Sequence, residues 1–307
     1  MSDASRPVIP VVLGPTAAGK TDLSLHLAGR FPKIEIVSAD SRQIYTGMDI
    51  GTAKPTPLER GDVPHHLIDI VTPDVLYSAG LYADAARAVI ADILERGGIP
   101  LVVGGSGFYV SALFQGLGAP TVDAAILESL EQRGRAEGFD VLYEELMAID
   151  PVAARMHSPN NHVKTLRALC CYYQTGRPYS VYLEEESIQP APFTPSYFGI
   201  APPRELLYDR INRRALRMLE QGLVQETRDL LAAGYDRNAP GLKTVGYAEV
   251  LAWLAGEINE DRMLELIRQS TRRYAKRQMT WFRRVPGVHW SEQGNVEEAE
   301  GWLVASS

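Results

Sequence analysis

The sequence predicts an α/β protein: a parallel sheet flanked by helices, with a small helical subdomain inserted in it. Three observations predict this. Short apolar runs alternate with helix-length amphipathic stretches through the amino-terminal part of the chain, the rhythm of βαβ units. The octapeptide Gly14-Pro15-Thr16-Ala17-Ala18-Gly19-Lys20-Thr21 stands between one such run and one such helix, which is the spacing and the strand-to-helix context of a P-loop. The alternation then lapses from about Gly118 to Pro195 and resumes at Ser196. Residues 1–117 and 196–307 are accordingly expected to form a P-loop NTPase-like core that ends in a basic helix, and 118–195 the inserted helical unit.

In chain order, residues 8–13 read as a buried strand and the octapeptide as a phosphate cradle. Gly14 and Gly19 let backbone N–H groups turn inward around an anion. The following helix adds its positive end, Lys20 a full charge, and Thr21 a hydroxyl suited to Mg²⁺. The motif does not name the phosphate compound. That helix is expected to end near Gly29, and 34–38 reads as a second strand by its β-branched, apolar content. Residues 39–64 are polar and too long for an ordinary βα connection, which suggests a working loop. Asp40 opens it just past the strand's carboxyl end, the edge on which the P-loop also opens, so Asp40 and Lys20 are expected to face one crevice. Asp40 is therefore a catalytic candidate.

Residues 64–70 read as a third strand. Its adjacent His65 and His66 point to opposite faces, which argues against a joint metal site. Ser78 is placed to cap a helix running to Glu95, Gly97-Gly98 stops it, and 99–103 forms a fourth strand. That strand ends in Gly104-Gly105-Ser106-Gly107, where many P-loop NTPases carry a metal-positioning aspartate. The segment reads either as a plain turn before a helix over 108–114 or as a source of donors to phosphate or substrate.

The inserted region shows helices over 124–133, 139–149 and 161–175, closed by Gly176-Arg177-Pro178 and a proline-rich passage over 189–195, with no strand inside. Lys164 and Arg167 follow Asn160, Asn161 and His162 near a helix start, where an anionic backbone can dock, although an ordinary polar face has the same composition. Residues 196–200 restore a strand. Pro203 then opens a helix to Glu220 carrying Arg210, Arg213, Arg214 and Arg217. Helices over 223–233 and 247–255 follow, stopped by Gly234 and Gly256. The last helix is basic. Arg268, Arg272 and Lys276 share one face, and Tyr274-Ala275-Lys276-Arg277-Gln278-Met279-Thr280-Trp281-Phe282-Arg283-Arg284 mixes cations with aromatics as single-stranded nucleic-acid surfaces do.

The 307 residues carry a net charge of −7, which argues against indiscriminate, charge-driven nucleic-acid binding and leaves the local basic helix as the exception. With 22% charged and 45% apolar residues, no membrane-length apolar run and no leader pattern, the expectation is a soluble cytoplasmic protein. The only two cysteines, Cys170 and Cys171, are adjacent, which disfavours a disulfide framework or a zinc site and makes them packing residues.

Laid end to end, these stretches make the chain resemble the tRNA dimethylallyltransferases, also called tRNA isopentenyltransferases, from Gly14 to Arg284. Residues 14–21 resemble the family's P-loop, 40–55 its DSRQxYxGMDIGTAKP signature, 64–70 its PHHLID stretch and 104–109 its GGTGLY turn. Arg167-Ala168-Leu169, Lys243-Thr244-Val245-Gly246-Tyr247 and 274–283 extend the match. The 40–55 stretch is far more specific than any P-loop. The resemblance implies transfer of a dimethylallyl group from its diphosphate to the exocyclic amine of the adenosine immediately 3′ of a tRNA anticodon, with Mg²⁺ as cofactor and a monomer as the working form. It implies that Asp40 removes the amine proton. Lys20, the loop residues Gly14, Thr16, Ala17, Ala18 and Gly19, the Mg²⁺ near Thr21, and Arg214 would neutralise the departing diphosphate. Asp40, Ser41, Arg42 and Gln43, the run Val163, Lys164, Thr165, Leu166 and Arg167, and Lys276 and Arg277 would grip the anticodon loop. Ser106 would contact the target nucleotide. Three departures stand out: Ser106 replaces the family's usual threonine, Cys170 and Cys171 replace its more frequent glutamate and valine, and the zinc-finger ligands frequent in eukaryotic members do not follow, which resembles the bacterial type.

Two other enzyme readings stay open at this point. An adenylate isopentenyltransferase would prenylate free AMP or ADP, but the basic helix and the helical insert offer more surface than a mononucleotide needs. A P-loop kinase would move a γ-phosphoryl group, against which the missing aspartate after the fourth strand counts. A non-enzymatic RNA-binding module would leave the cradle and Asp40 without a purpose.

Overall fold

A computed structural model describes residues 6–116, 122–184 and 190–306. The chain forms β1 (Val8–Leu13), α1 (Lys20–Arg30), β2 (Ile34–Ser38), α2 (Pro57–Arg60), β3 (His65–His66), α3 (Ala79–Glu95), β4 (Ile99–Gly104) and α4 (Gly107–Gln115). It continues through α5 (Ala124–Glu137), α6 (Phe139–Ile149), α7 (Pro151–Arg155), α8 (His162–Thr175) and α9 (Tyr179–Glu184). It then adds β5 (Thr194–Ile200), α10 (Arg204–Glu220), α11 (Leu223–Ala232), α12 (Tyr247–Leu254), α13 (Glu260–Phe282), β6 (Val288–Ser291) and α14 (Val296–Ala305).

The strands form one sheet in the order β3-β2-β4-β1-β5-β6, parallel at each pairing. Its central strands are continuous apolar runs because helices cover both faces. Successive residues of β1 go to opposite sides: Val11 and Leu13 pack with Tyr82, Ile90, Val110 and Leu113 of α3 and α4. Val12 packs with Leu23 and Leu27 of α1 and Leu303 of α14. Each such fully buried large side chain contributes about 1.5–3 kcal/mol.

The register brings three strand ends level. Leu13 of β1 lies opposite Gly104 of β4, and Val103 of β4 lies opposite Ser38 of β2. The turns that follow β2, β4 and β1 therefore sit side by side on the carboxyl edge of the sheet.

Away from the sheet, helices α5 to α9 share a core of their own around Leu130, Leu142, Leu146, Ala154 and Leu169, which also takes in Cys170. Both cysteines are free thiols, buried as packing residues. A third core joins Ile44 and Met48 to Leu223, Tyr247, Val250, Met263 and Ile267 of the helices after β5. The 39–64 segment is thus split: its first residues stay at the sheet edge, and its middle packs into this core.

Several expectations change in detail. The third strand shrinks from 64–70 to His65–His66, because Leu67 and Asp69 turn into the left-handed region at φ 61 and 56. β5 begins at Thr194, two residues inside the stretch expected to be strand-free, since its amino end extends along Val8 and Ile9. β6 and α14 were not predicted. β6 is a short edge strand whose two middle residues are exposed, so it lacks a buried alternating pattern. The expected boundary at 117/118 and the start of the proline-rich passage at Gln189 lie outside the described residues.

Candidate active site

The sheet edge assembles the site from separate pieces of sequence. After β1 the P-loop wraps back to α1, with Gly19 at φ 100 and Ala17 at φ 62. The N–H of Thr16 donates to Gln278 Oε1 at 2.9 Å, and that of Ala18 donates to Pro15 O at 3.3 Å. Among the described residues, the amides of Ala17, Gly19, Lys20 and Thr21 have no protein acceptor, so these are the N–H groups left for an anion at the positive end of α1. The Thr16 and Ala18 amides are thus spent within the protein.

Lys20 folds over the loop, its Nζ donating to Gly14 O and Pro15 O at 2.9 Å each. Burial pulls its pKa down to about 8, against the opposing pull of the Asp40 carboxylate, and Arg214 lowers it further. Arg214, one of the five arginines of α10, is itself depressed by burial, while Asp40 raises it. Lys20 and Arg214 therefore both feel the charge of Asp40. Arg210 lies beside them and donates to Ala18 O at 3.2 Å. Arg213 instead pairs along the helix with Asp209.

After β2, Asp40 is held by its own turn: Oδ1 accepts the N–H of Arg42 at 2.9 Å and of Gln43 at 3.4 Å. Among the described residues Oδ2 accepts no hydrogen bond, which leaves one carboxylate oxygen for chemistry. Ser106, just past β4, is 9% exposed. Its Oγ accepts from Ser41 N at 3.2 Å and donates to Ser41 Oγ at 2.8 Å, and its N–H donates to Ala39 O at 3.1 Å. Ser41 and Ser106 thus tie the β2 and β4 turns together. Gln43 turns inward, its amide donating to Thr52 O and Ala53 O at 3.4 and 3.2 Å.

Helix α13 closes the edge. The Tyr274 ring has the Arg42 guanidinium 4.1 Å from its centroid and that of Arg277 at 5.7 Å. Burial raises the Tyr274 phenol pKa, and Asp40 adds to the rise. Lys276 and Arg277 are exposed on the outer side of the helix.

The 163–167 run lies elsewhere, at the start of α8. Val163 is 77% exposed, whereas Thr165 and Leu166 are 1% and 5% exposed. Thr165 Oγ1 is spent on His157 Nε2 and Asn161 O. Val163, Lys164 and Arg167 are the members of this run that present side chains outward.

The histidine pair behaves as expected of opposite faces: His65 Nδ1 meets Val63 O at 2.8 Å, and His66 Nε2 meets Glu35 Oε2 at 2.7 Å. Among the described residues no group of three His, Cys, Asp or Glu side chains is arranged to hold a metal ion. Sequence reasoning missed the role of Gln278 in the loop; its partners are remote in sequence and it lacks charge, so no local pattern marks it.

Fold and site together define a P-loop-like α/β enzyme whose glycine-rich turn opens on the same sheet edge as a carboxylate and a serine turn, with Ser106 where many P-loop enzymes carry a metal-binding aspartate. A family model described as IPP transferase matches residues 43–285. The tRNA dimethylallyltransferase of Geobacter metallireducens is 46% identical over 293 residues, covering 95% of this chain and 94% of the relative. That of Salinibacter ruber is 46% identical over 94% of this chain and 88% of the relative. Among solved structures, the tRNA isopentenylpyrophosphate transferase of Bacillus halodurans superimposes with a TM-score of 0.71 at 34% identity, over 98% of this chain and 97% of the other. A eukaryotic dimethylallyltransferase acting on tRNA gives a TM-score of 0.76 at 30% identity, over 90% and 70%. The chain belongs to the IPP transferase family.

Proposed function

We propose that this protein transfers a dimethylallyl group from dimethylallyl diphosphate to the exocyclic amine of the adenosine 3′-adjacent to a tRNA anticodon. The observation that carries this reading is the convergence of Lys20, Asp40, Ser106 and Arg214 on one sheet edge, in a chain whose relatives are tRNA dimethylallyltransferases.

The chemistry follows from the two reacting ends. The amine is a weak nucleophile because its lone pair is delocalised into the ring. As its nitrogen forms the new C–N bond, Asp40 Oδ2 takes the N–H proton, while Oδ1 stays anchored by the Arg42 and Gln43 amides. At the other end the allylic C–O bond breaks, and the electron pair leaves on diphosphate. The free amides of the loop, Lys20 and Arg214 face the charge that develops there. Ser106 and Ser41 orient the acceptor base, which reaches this edge only by leaving its stack.

The Thr21 hydroxyl, at the start of α1, would be the protein's ligand to a Mg²⁺ that accompanies the diphosphate. When bound, that ion would neutralise part of the leaving group's charge. The helices of 118–195 and the outer face of α13 are assigned to the anticodon stem-loop, through Val163, Lys164, Arg167, Lys276 and Arg277. No helix among the described residues is long and apolar enough to cross a membrane. A tRNA acceptor implies the cytoplasm, and one chain carries all the site residues named, so the monomer is the proposed working form.

The test is to supply labelled dimethylallyl diphosphate with unmodified tRNA in one tube and AMP in another. Label in the tRNA adenosine next to the anticodon is expected. Label in AMP, or rapid phosphate release from ATP without a prenyl donor, would replace this reading.

A further inference from the structure

Gln278 lies on α13 and is 7% exposed. Its side-chain amide is used at both ends: Oε1 accepts the Thr16 N–H of the P-loop at 2.9 Å, and Nε2 donates to Gly105 O at 2.8 Å. The contact is close, since a Cβ on Gly105 would stand 2.4 Å from Nε2. Its neighbours along the same helical stripe, Tyr274 and Trp281, lie one turn away on either side. They pack against Arg42 and against the start of α4.

We propose that Gln278 is a positioning residue for the reaction, fixing the diphosphate cradle relative to the turn that carries Ser106. This rests on the reading of the P-loop as that cradle. Two physical points carry it. The loop holds Ala17, a residue with a Cβ, in the left-handed region at φ 62, a conformation that persists only where surrounding contacts over-determine it. By taking the Thr16 N–H out of the set of free amides, Gln278 commits the loop to one shape, in which the amides of Ala17, Gly19, Lys20 and Thr21 keep no protein acceptor among the described residues and are left for an anion. The same planar group also joins the β1 turn to the β4 turn, and so sets the separation of leaving group and acceptor base. Misplacement by about 1 Å at such a junction is enough to slow transfer a hundredfold.

The test uses the whole protein with two variants, Gln278→Leu and Gln278→Glu. Gln278→Leu keeps bulk without either hydrogen bond. It is expected to weaken inorganic pyrophosphate binding by about tenfold and to raise the KM for dimethylallyl diphosphate alongside, with tRNA affinity within about twofold of wild type. A role confined to stability would lower Tm and the active fraction but leave pyrophosphate affinity of the folded protein unchanged, and that result would overturn the proposal. Gln278→Glu supplies a second readout should the leucine variant not fold. Burial and the facing Gly105 carbonyl would raise the pKa of a carboxyl here, and its protonated form restores both the donor to Gly105 O and the acceptor for Thr16, so the variant's kcat/KM relative to wild type should rise as pH falls from about 8 to about 6. A flat ratio overturns the proposal. A wild-type protein that binds no pyrophosphate would overturn both this inference and the cradle reading beneath it; wild-type affinity in both folded variants overturns the inference alone.

Discussion

The Tyr247 hydroxyl donates to Glu226 Oε1 at 2.5 Å, and the Tyr247 ring occupies the space that a Cβ on Gly51 would need, 2.4 Å from its nearest atom. Glu226 also accepts the N–H groups of Asp49, Ile50 and Gly51 at 3.0, 2.8 and 3.1 Å. A few residues on, the buried Lys54 pairs with Asp49 and Asp69. The second half of the 40–55 signature therefore serves packing and backbone satisfaction, as does the inward-turned Gln43, while Asp40, Ser41 and Arg42 stay at the sheet edge beside Ser106 and Tyr274.

Glu226→Ala would leave three amides and a hydroxyl without their acceptor. The expected loss of stability is about 2–4 kcal/mol, read as a lower urea midpoint, with the KM for dimethylallyl diphosphate of the folded fraction unchanged. An unshifted midpoint would show that the loop holds without its carboxylate.

Asp40→Asn keeps the oxygen that accepts from Arg42 and Gln43 and removes the base. Single-turnover transfer should slow about a hundredfold or more, with tRNA affinity nearly kept. An unchanged single-turnover rate would remove Asp40 from the proton transfer.

Lys20 has its pKa lowered by burial from 10.5 to about 8. In the free protein it sheds its proton as pH rises through that value, whereas a bound diphosphate favours the charged ammonium. Binding above about pH 8 must take up a proton, and affinity should fall by up to about tenfold per pH unit. Without ligand the sign for stability is opposite: between the folded and unfolded values the unfolded chain holds more protons, so this lysine's contribution to stability rises with pH. Calorimetry of pyrophosphate binding near pH 9 in buffers of different ionisation heat measures the uptake, and an affinity that stays flat through this range would contradict the assignment.

Lys276 and Arg277 stand exposed on α13. Replacing both with alanine should weaken tRNA binding uniformly and reduce its salt slope by about 1–2, with the KM for dimethylallyl diphosphate unaffected. An unaltered salt slope would move the RNA path off this helix.

What was legible in the sequence was local. The P-loop and the strands at 8–13, 34–38 and 99–103 are written in consecutive residues, as spacing or as unbroken β-branched runs, and the Asp40 turn inherits its position from the strand before it. Features made by distant partners were not legible. Leu67 and Asp69 leave the extended conformation that 64–70 suggests, and Asp69 instead joins Lys54 and Arg60. β6 is bounded by its pairing with β5 and not by a buried alternation of its own. Thr165 and Leu166 read as part of a polar helix start, yet α8 turns them into the core of its neighbours.

The hydrogen bond between Thr16 and Gln278 spans 262 positions. During synthesis the glycine-rich grip emerges among the first segments, yet the amide that braces it, like Arg214, comes from the carboxyl-terminal third of the polypeptide. A nascent chain halted after the helical insert would display the motif with neither support in place. The loop should therefore reach its braced shape only after α13 has been synthesised.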